Sequence, residues 1–293
     1  MYNIKGYLDA CTVSEAIELL AQNPNLRIIA GGTDVLIKMQ HGQFQEAELL
    51  SIRTLESMAD IKKLEDGTMI IGALATFSQI FNDPIIQAEI PALAEAAVSM
   101  GGPQIRNIAT IGGNICNGAT SADSASTLFA LNASLRLESK TGARLVPIRE
   151  FYLGPGKVDL KPGEILTEFR VAPEDYRGFG GHYIKFAARK AMDIATLGVS
   201  VMCKVAAKTL TEVRIGLGVA GPTPLRCVEA EEFAKGQEIS KDTLAQIGKL
   251  AVKSTNARTS WRASKEYREH LVEELVQRAL KTAIVRAGGE ELA

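Results

Sequence analysis

The sequence has no long unbroken apolar run, no paired cysteines and no excess of charge, and each absence removes a class of protein. A bilayer span needs about 18 consecutive apolar residues. The richest stretch, Ala195 to Val205, is broken by Gly198, Ser200 and Lys204 and reads as a buried strand. The 4 cysteines, Cys11, Cys116, Cys203 and Cys227, are scattered, with no CxxC pair and no flanking histidine. No zinc or iron–sulfur site is therefore expected on this chain, and any such cluster must lie on another. They are expected as small buried apolar residues rather than disulfides, Cys116 being the exception to watch. The 33 Lys plus Arg nearly balance 34 Asp plus Glu, a net charge of −1, which implies no global attraction to nucleic acid or membrane. Met1 to Gly6 lacks the basic start and apolar stretch of a secretory signal, so a cytoplasmic location is expected. His41, His182 and His270 stand isolated, without a serine–histidine–acid constellation. Neither GxGxxG nor GxxxxGK[ST] occurs, which disfavours a Rossmann dinucleotide fold and a phosphate-loop ATPase.

What is present is globular. With 293 residues, 46% apolar and 23% charged, the chain has the length for two compact domains at roughly 150 residues each and a composition that buries a core. Thr12-Val13-Ser14-Glu15 reads as a capping box opening a helix through Ala16, Ile17, Leu20 and Ala21. After the turn Asn23-Pro24-Asn25, Leu26 to Ala30 has the branching of a buried strand that runs directly into Gly31-Gly32. Hairpins are expected at Glu65-Asp66-Gly67 and Lys140-Thr141-Gly142, and a helix from Pro91 to Met100 that stops at Gly101-Gly102-Pro103. Pro162-Gly163 and the polar, turn-rich Pro173 to Gly181 suggest a boundary, with a linker in the latter. Beyond it, strands are expected at Tyr183 to Ala188, Gly198 to Ala206 and Val213 to Ala220. Helices follow around Asp242 to Lys253 and Lys265 to Ala287, the last with an apolar stripe from Val272 to Ala287 that reads as core and ends at Gly288-Gly289.

The chemistry-bearing segments are two double glycines, Ala30-Gly31-Gly32-Thr33-Asp34 and Thr110-Ile111-Gly112-Gly113-Asn114. A pyrophosphate needs several backbone N–H groups converging on it, and glycine permits both the close approach and the positive φ of such nests. Thr33, Thr110 and Asn114 add side-chain hydrogen bonds for phosphate or ribityl oxygens. Among 26 glycines one such pair means little; two loops of matching chemistry suit a dinucleotide. Asp34 is expected to accept backbone hydrogen bonds at a helix start rather than to act as a catalytic carboxylate with Asp123. Arg106, just before the second loop, is expected either to fix it or to shape the approach to the ligand, and Lys190 to be a surface charge.

The surrounding strings, Ile29 to Leu36 and Gln104 to Ile115, resemble the paired FAD motifs of the medium subunits of molybdenum hydroxylases, a family that includes xanthine, carbon monoxide and aldehyde dehydrogenases. Cys116 to Ala125 and Ser260 to Arg268 are most similar to the bacterial xanthine dehydrogenase branch, and the resemblance covers nearly the whole chain. It implies an α+β architecture: a FAD-binding domain of the vanillyl-alcohol oxidase and molybdenum hydroxylase flavoprotein type (PCMH type) over residues 1–176, then a smaller sheet-plus-helices domain over 182–288. Carried over by position, it implies FAD contacts at Arg27, Ile28, Ile29, Ala30, Gly31, Gly32, Thr33 and Asp34. A second group is Ala109, Thr110, Ile111, Gly112, Gly113 and Asn114, near the diphosphate and ribityl chain, with Asp123 a further polar contact. Ile165, Leu166 and Lys185 would lie nearer the rest of the cofactor, although by itself a strand lysine such as Lys185 reads as a solvated outward charge.

The function implied is an electron-transfer subunit with no catalytic residue and no metal of its own. FAD would take electrons from 2Fe-2S clusters on a small partner subunit, after hydroxylation of xanthine at a molybdenum cofactor on a large one, and pass them to NAD. The alternatives are the flavoprotein subunit of a related carbon monoxide, aldehyde or N-heterocycle dehydrogenase with another acceptor, a self-contained flavin oxidase or reductase, and a non-catalytic assembly subunit.

Overall fold

The computed structural model describes residues 3–292; Met1 and Tyr2, which open the stretch read above for a secretory signal, lie outside them. The fold is α+β and built on two apolar cores. In the first half a three-stranded parallel sheet sets Ala47–Ser51 between Ile4–Asp9 and Arg27–Ile29. A five-stranded antiparallel sheet follows in the order Ile61–Lys63, Met69–Gly72, Ile165–Val171, Ser134–Ser139, Gly142–Pro147. Both expected hairpins are there, joining Ile61–Lys63 to Met69–Gly72 and Ser134–Ser139 to Gly142–Pro147. The helix Val13–Gln22 starts as expected, Thr12 accepting from the Glu15 N–H at 3.0 Å, while the Glu15 carboxylate reaches one residue further back, to the Cys11 N–H at 2.7 Å.

The second core lies under a four-stranded antiparallel sheet, Gly180–Phe186, Leu197–Ala206, Thr209–Gly218 and Leu225–Arg226. One face packs on the helices Pro91–Ser99 and Asp123–Ala130, the other on Lys265–Arg286. Covering on both faces explains why Leu197 to Cys203 is buried at every position and reads as continuous rather than alternating. The approach is close: a Cβ at Gly216 would lie 2.0 Å from the Ser126 carbonyl oxygen, so only glycine lets the helix Asp123–Ala130 rest there. This sandwich brings Asp123, at that helix's first turn, next to the strand bearing Lys185.

Three expectations change. The Arg27–Ile29 strand is not buried, because it is a sheet edge. Pro173 to Gly181 is a packed junction instead of a loose linker: Pro173–Tyr176 is helical, the buried Tyr176 hydroxyl donates to the Gly67 carbonyl at 2.6 Å, and Arg214 reaches Asp175 at 2.7 Å. Its polar composition reflects the outer side of a segment pinned from within. His182 is not isolated either; its Nδ1 lies 2.9 Å from Glu95, which also holds Arg286 at 2.7 Å, tying the helix Pro91–Ser99 to the end of the last helix. Of the cysteines, Cys203 and Cys227 are buried, Cys116 is half-buried and Cys11 is exposed; all four are free.

Candidate functional site

A cleft of about 940 Å³ runs between the two double-glycine segments, walled further by residues 160–166, by the loop at Arg189 and Met192 to Ile194, and by Trp261 and Arg262. The segments meet at its floor. A Cβ on Gly31 would stand 1.8 Å from the Ile108 carbonyl oxygen, so the first segment lies directly on the backbone that leads into the second.

Their backbones then behave differently. Gly32 takes φ +75°, and the N–H groups of Gly31, Gly32, Thr33 and Asp34 have no hydrogen-bond acceptor among the described residues. They run along the cleft wall into the helix Val35–Gln40, a row of unpaired donors of the kind that binds anions. In the second segment, expected as a loop, Ile111–Cys116 is a helix capped by Thr110, which accepts from the Gly113 N–H at 3.1 Å. The N–H groups of Ile111, Gly112 and Asn114 donate to the Ala75, Ala73 and Thr110 carbonyls. This segment offers the cleft a close, smooth surface and the Thr110 and Asn114 side chains, not free N–H donors.

Most of the expected site residues converge here. Arg27, Ile28, Ala30, Gly31, Gly32, Thr33 and Asp34 line the cleft from one side, and Ala109, Thr110, Gly112, Gly113 and Asn114 from the other; Asp123, Ile165 and Leu166 line it as well. Ile29 instead packs on a small apolar cluster around Met39 and Leu49, and Ile111 is buried in the first core. Lys185 does not line the cleft; it sits one layer behind, donating to Asp123 Oδ2 at 2.9 Å and to the Ser99 carbonyl at 3.1 Å. Tyr183 donates to Asp123 Oδ1 at 3.2 Å. Lys185 is thus an inward, paired cation rather than a solvated one. Burial pushes the Asp123 carboxyl above its usual range and Lys185 opposes that shift; of the pair, Asp123 lines the cleft and Lys185 lies behind it.

Asp34 precedes the helix Val35–Gln40 but makes no side-chain cap bond. Its side chain opens onto the cleft, yet the surrounding protein crowds the carboxyl enough to raise its pKa, with Lys38 opposing. Lys38 also reaches across to Asn117, linking the helix that follows the first segment to the end of the helix that holds the second. Cys116 lines the cleft as a thiol whose pKa burial pushes up to about 12, far from the thiolate that redox or nucleophilic chemistry requires. Arg106 donates to the Met100 carbonyl at 3.1 Å and so fixes the turn at Gly101, leaving the cleft to others. Lys190 is exposed.

Other cleft residues went unnoticed in the sequence. Phe44 lines the cleft with its ring centre 3.8 Å from the guanidinium of the expected Arg27. Glu164 is held by Arg144 at 2.7 Å. Arg189, Met192, Asp193 and Ile194 enter from the second half of the chain, where Met192 takes a positive φ of 54° and its N–H donates to the Gly101 carbonyl. Phe44 and Met192 carried no local signal; Trp261 and Arg262 lay inside a string singled out only for its resemblance. Among the described residues no cluster of His, Cys, Asp and Glu is placed to hold a metal, and no helix is long and apolar enough to cross a membrane.

Residues 2–174 match the model of the FAD binding domain in molybdopterin dehydrogenase. The chain belongs to that family. Residues 182–283 match the CO dehydrogenase flavoprotein C-terminal domain. The chain is 43% identical over 290 residues to the putative xanthine dehydrogenase FAD-binding subunit of Escherichia coli K12, covering 99% of each chain. It is 32% identical over 276 residues to the carbon monoxide dehydrogenase medium chain of Hydrogenophaga pseudoflava, covering 94% of this chain and 95% of that one. A solved structure of carbon monoxide dehydrogenase from Hydrogenophaga pseudoflava, lacking the Mo-pyranopterin moiety of its molybdenum cofactor, superposes with a TM-score of 0.92 over 98% of this chain and 99% of that chain, at 30% identity. As a member of the molybdopterin dehydrogenase FAD-binding family, the chain is an oxidoreductase subunit of the molybdenum hydroxylase type.

Proposed function

We propose that this chain holds FAD in the cleft between Gly31-Gly32 and Gly112-Gly113 and serves as the electron-transfer subunit of a multi-subunit xanthine dehydrogenase. On this reading it works beside a molybdenum-bearing large subunit and a 2Fe-2S small subunit in the cytoplasm, residues 1–176 forming the cofactor domain and 182–288 the second domain. The observation that carries it is the row of unpaired N–H groups from Gly31 to Asp34 along a cleft of dinucleotide size, in a chain of this family. The 43% identity to the Escherichia coli protein favours xanthine over carbon monoxide or aldehydes as the substrate of the complex.

The residues fit the cofactor. Gly31 to Asp34 would hold the diphosphate through the backbone, with Thr33, Thr110 and Asn114 supplying side-chain hydrogen bonds, while Ile165 and Leu166 give apolar contact. Bound FAD supplies one-electron and hydride chemistry, which lets a subunit of this kind take electrons from 2Fe-2S clusters and deliver them to NAD. The protein's part is positioning and electrostatics: Lys185, behind the cleft wall, holds Asp123 at 2.9 Å and opposes the upward shift that burial gives its carboxyl.

The test is the absorption spectrum and metal content of the copurified complex, with NAD reduction by xanthine. FAD, 2Fe-2S and molybdenum together with xanthine-dependent NADH formation are expected. A colourless chain without partners would sink the assignment, and turnover of a small substrate by the chain alone would make it a self-contained flavin enzyme. Lys185→Met is expected to lower the flavin midpoint potential and weaken FAD binding; if both stay unchanged, the Asp123–Lys185 pair has no part in tuning the cofactor.

A further inference from the structure

Trp261 is the only tryptophan of the chain and, among the described residues, the most exposed large apolar side chain, at 84%, yet it lines the same cleft as the glycine segments. Its loop is not slack. Arg268, 3% exposed, donates to the carbonyls of Thr196, Arg258 and Ala263 and to the Ser260 hydroxyl. An isolated bridge pairs Ser260 with Ala263. A buried guanidinium spent on loop carbonyls is a costly anchor, and it holds a bare indole in the open.

The indole has charged company. The Arg262 guanidinium lies 4.1 Å from the centre of the Trp261 ring, and its buried Nε has no hydrogen-bond partner. Arg258 and Arg262 stand close enough to disfavour charge on Arg268, and among the described residues none of the three pairs with a carboxylate. Arg189 enters the same cleft, balanced in part by Asp193 at 3.5 Å. A flat aromatic face beside unneutralised guanidinium groups matches a ligand with a planar ring and a phosphate, since rings stack on indole and phosphates take guanidinium forks.

We propose that Trp261, Arg262 and Arg189 form a nucleotide-docking platform at the rim of the cleft, the indole stacking a ring and the guanidinium groups meeting a phosphate. The chemistry is common to the adenylate half of FAD and to a nicotinamide dinucleotide acceptor. The inference rests on reading the cleft as the cofactor site, and the experiment separates the two. The full chain, freed of flavin, is titrated by calorimetry with FAD and, when loaded, with NAD, while the fluorescence of its sole tryptophan is followed; Trp261→Phe and Trp261→Ala are treated alike.

Quenching, together with an affinity loss of about tenfold in Trp261→Ala and a smaller one in Trp261→Phe, is expected for one of the two nucleotides. Loss confined to FAD assigns the platform to the cofactor's own adenylate; loss confined to NAD, with FAD affinity intact, assigns it to the acceptor. Quenching without any affinity change in Trp261→Ala reflects energy transfer from a distance and overturns the platform. So does FAD bound by the wild type with neither nucleotide affected by the substitution. Failure of the wild type to bind FAD at all overturns the cofactor reading instead; NAD is then titrated into the flavin-free chain, and an affinity unchanged by Trp261→Ala overturns the platform as well. Because the indole is exposed, both variants are expected to fold as the wild type does.

Discussion

Gly31-Gly32 and Gly112-Gly113 face each other across one cleft with nearly the same composition, but the first leaves its N–H groups unpaired while the second donates its own to Ala73, Ala75 and Thr110. The first lies at the end of an edge strand, where no neighbouring strand claims its donors. The second opens a helix, and its N–H groups are claimed by the Ala75 and Ala73 carbonyls of the neighbouring segment and by the Thr110 cap. Glycine therefore serves opposite ends: at the first segment it leaves backbone N–H groups open to the cleft, and at the second it lets a helix pack tightly while adding little bulk to the cleft wall.

Substituting the glycines one at a time separates these roles. Gly31→Ala is expected to have the largest effect, because its Cβ would meet the Ile108 carbonyl at 1.8 Å and backbone cannot yield as a side chain does. The strain should cost about 3 kcal/mol and part the two segments, so FAD affinity should fall by about a hundredfold or more, equal to 2.8 kcal/mol or above. Calorimetric titration with FAD and thermal unfolding of the flavin-free chain would measure both; a variant that binds FAD normally would show that the contact at Ile108 does not set the cleft. Gly112→Ala comes next. Its Cβ would lie 2.6 Å from the Ala73 carbonyl, costing about 1–3 kcal/mol of stability with a smaller loss of affinity, since no unpaired donor is displaced. Equal affinity losses at Gly31 and Gly112 would erase the distinction between the segments.

How far this was legible in the sequence follows from the same physics. The helix at Thr12, both hairpins and the closing helices were readable because caps, turns and apolar stripes are local. The convergence of Ala30 to Asp34 with Ala109 to Asn114 was legible through resemblance, since residue chemistry alone supported only low-specificity anion binding. The difference between the two segments was not, because composition does not say which N–H groups a neighbouring carbonyl will claim. Lys185 reads as outward by strand propensity alone and is placed toward the cofactor only by the resemblance; its pairing with Asp123, 62 residues away, has no local signal. The linker reading failed for a similar reason: polar residues from Pro173 to Gly181 hide two anchoring contacts, Tyr176 with Gly67 and Asp175 with Arg214.

A third wall tests whether the glycine segments alone decide affinity. Arg144 grips Glu164 through Nε at 2.7 Å and Asp159 through a terminal nitrogen at 2.6 Å, holding residues 160–164 against the cleft. Hydrogen bonds from Arg144 lower the pKa of both acids, so their ionised forms stabilise the fold above the ordinary values of 4.5 and 3.8. That contribution is lost as pH falls through the lower folded values. Arg144→Met is expected to lower the unfolding temperature by a few degrees at pH 7, with the gap to wild type closing as pH drops below the ordinary carboxylate range. A gap that persists there would mean packing, not charge, holds this wall. FAD affinity should fall less than in Gly31→Ala, because the free N–H groups of Gly31 to Asp34 are untouched.

The smallest effect is expected at Gly113→Ala. Gly113 is exposed on the cleft inside a helix, and an added Cβ would meet only Thr110 Oγ1, at 3.0 Å. Alanine gains about 0.8–1 kcal/mol over glycine within a helix, which the adjustment of Thr110 partly offsets, so the unfolding temperature should move by no more than a degree or two. FAD titration of this variant therefore isolates the ligand from the fold. A clear affinity loss at unchanged stability would mean the second segment works by letting the cofactor approach its backbone, as its smooth surface suggests. Unchanged affinity would reduce Gly113 to a helix residue and leave recognition to the free donors of Gly31 to Asp34 and the side chains of Thr110 and Asn114.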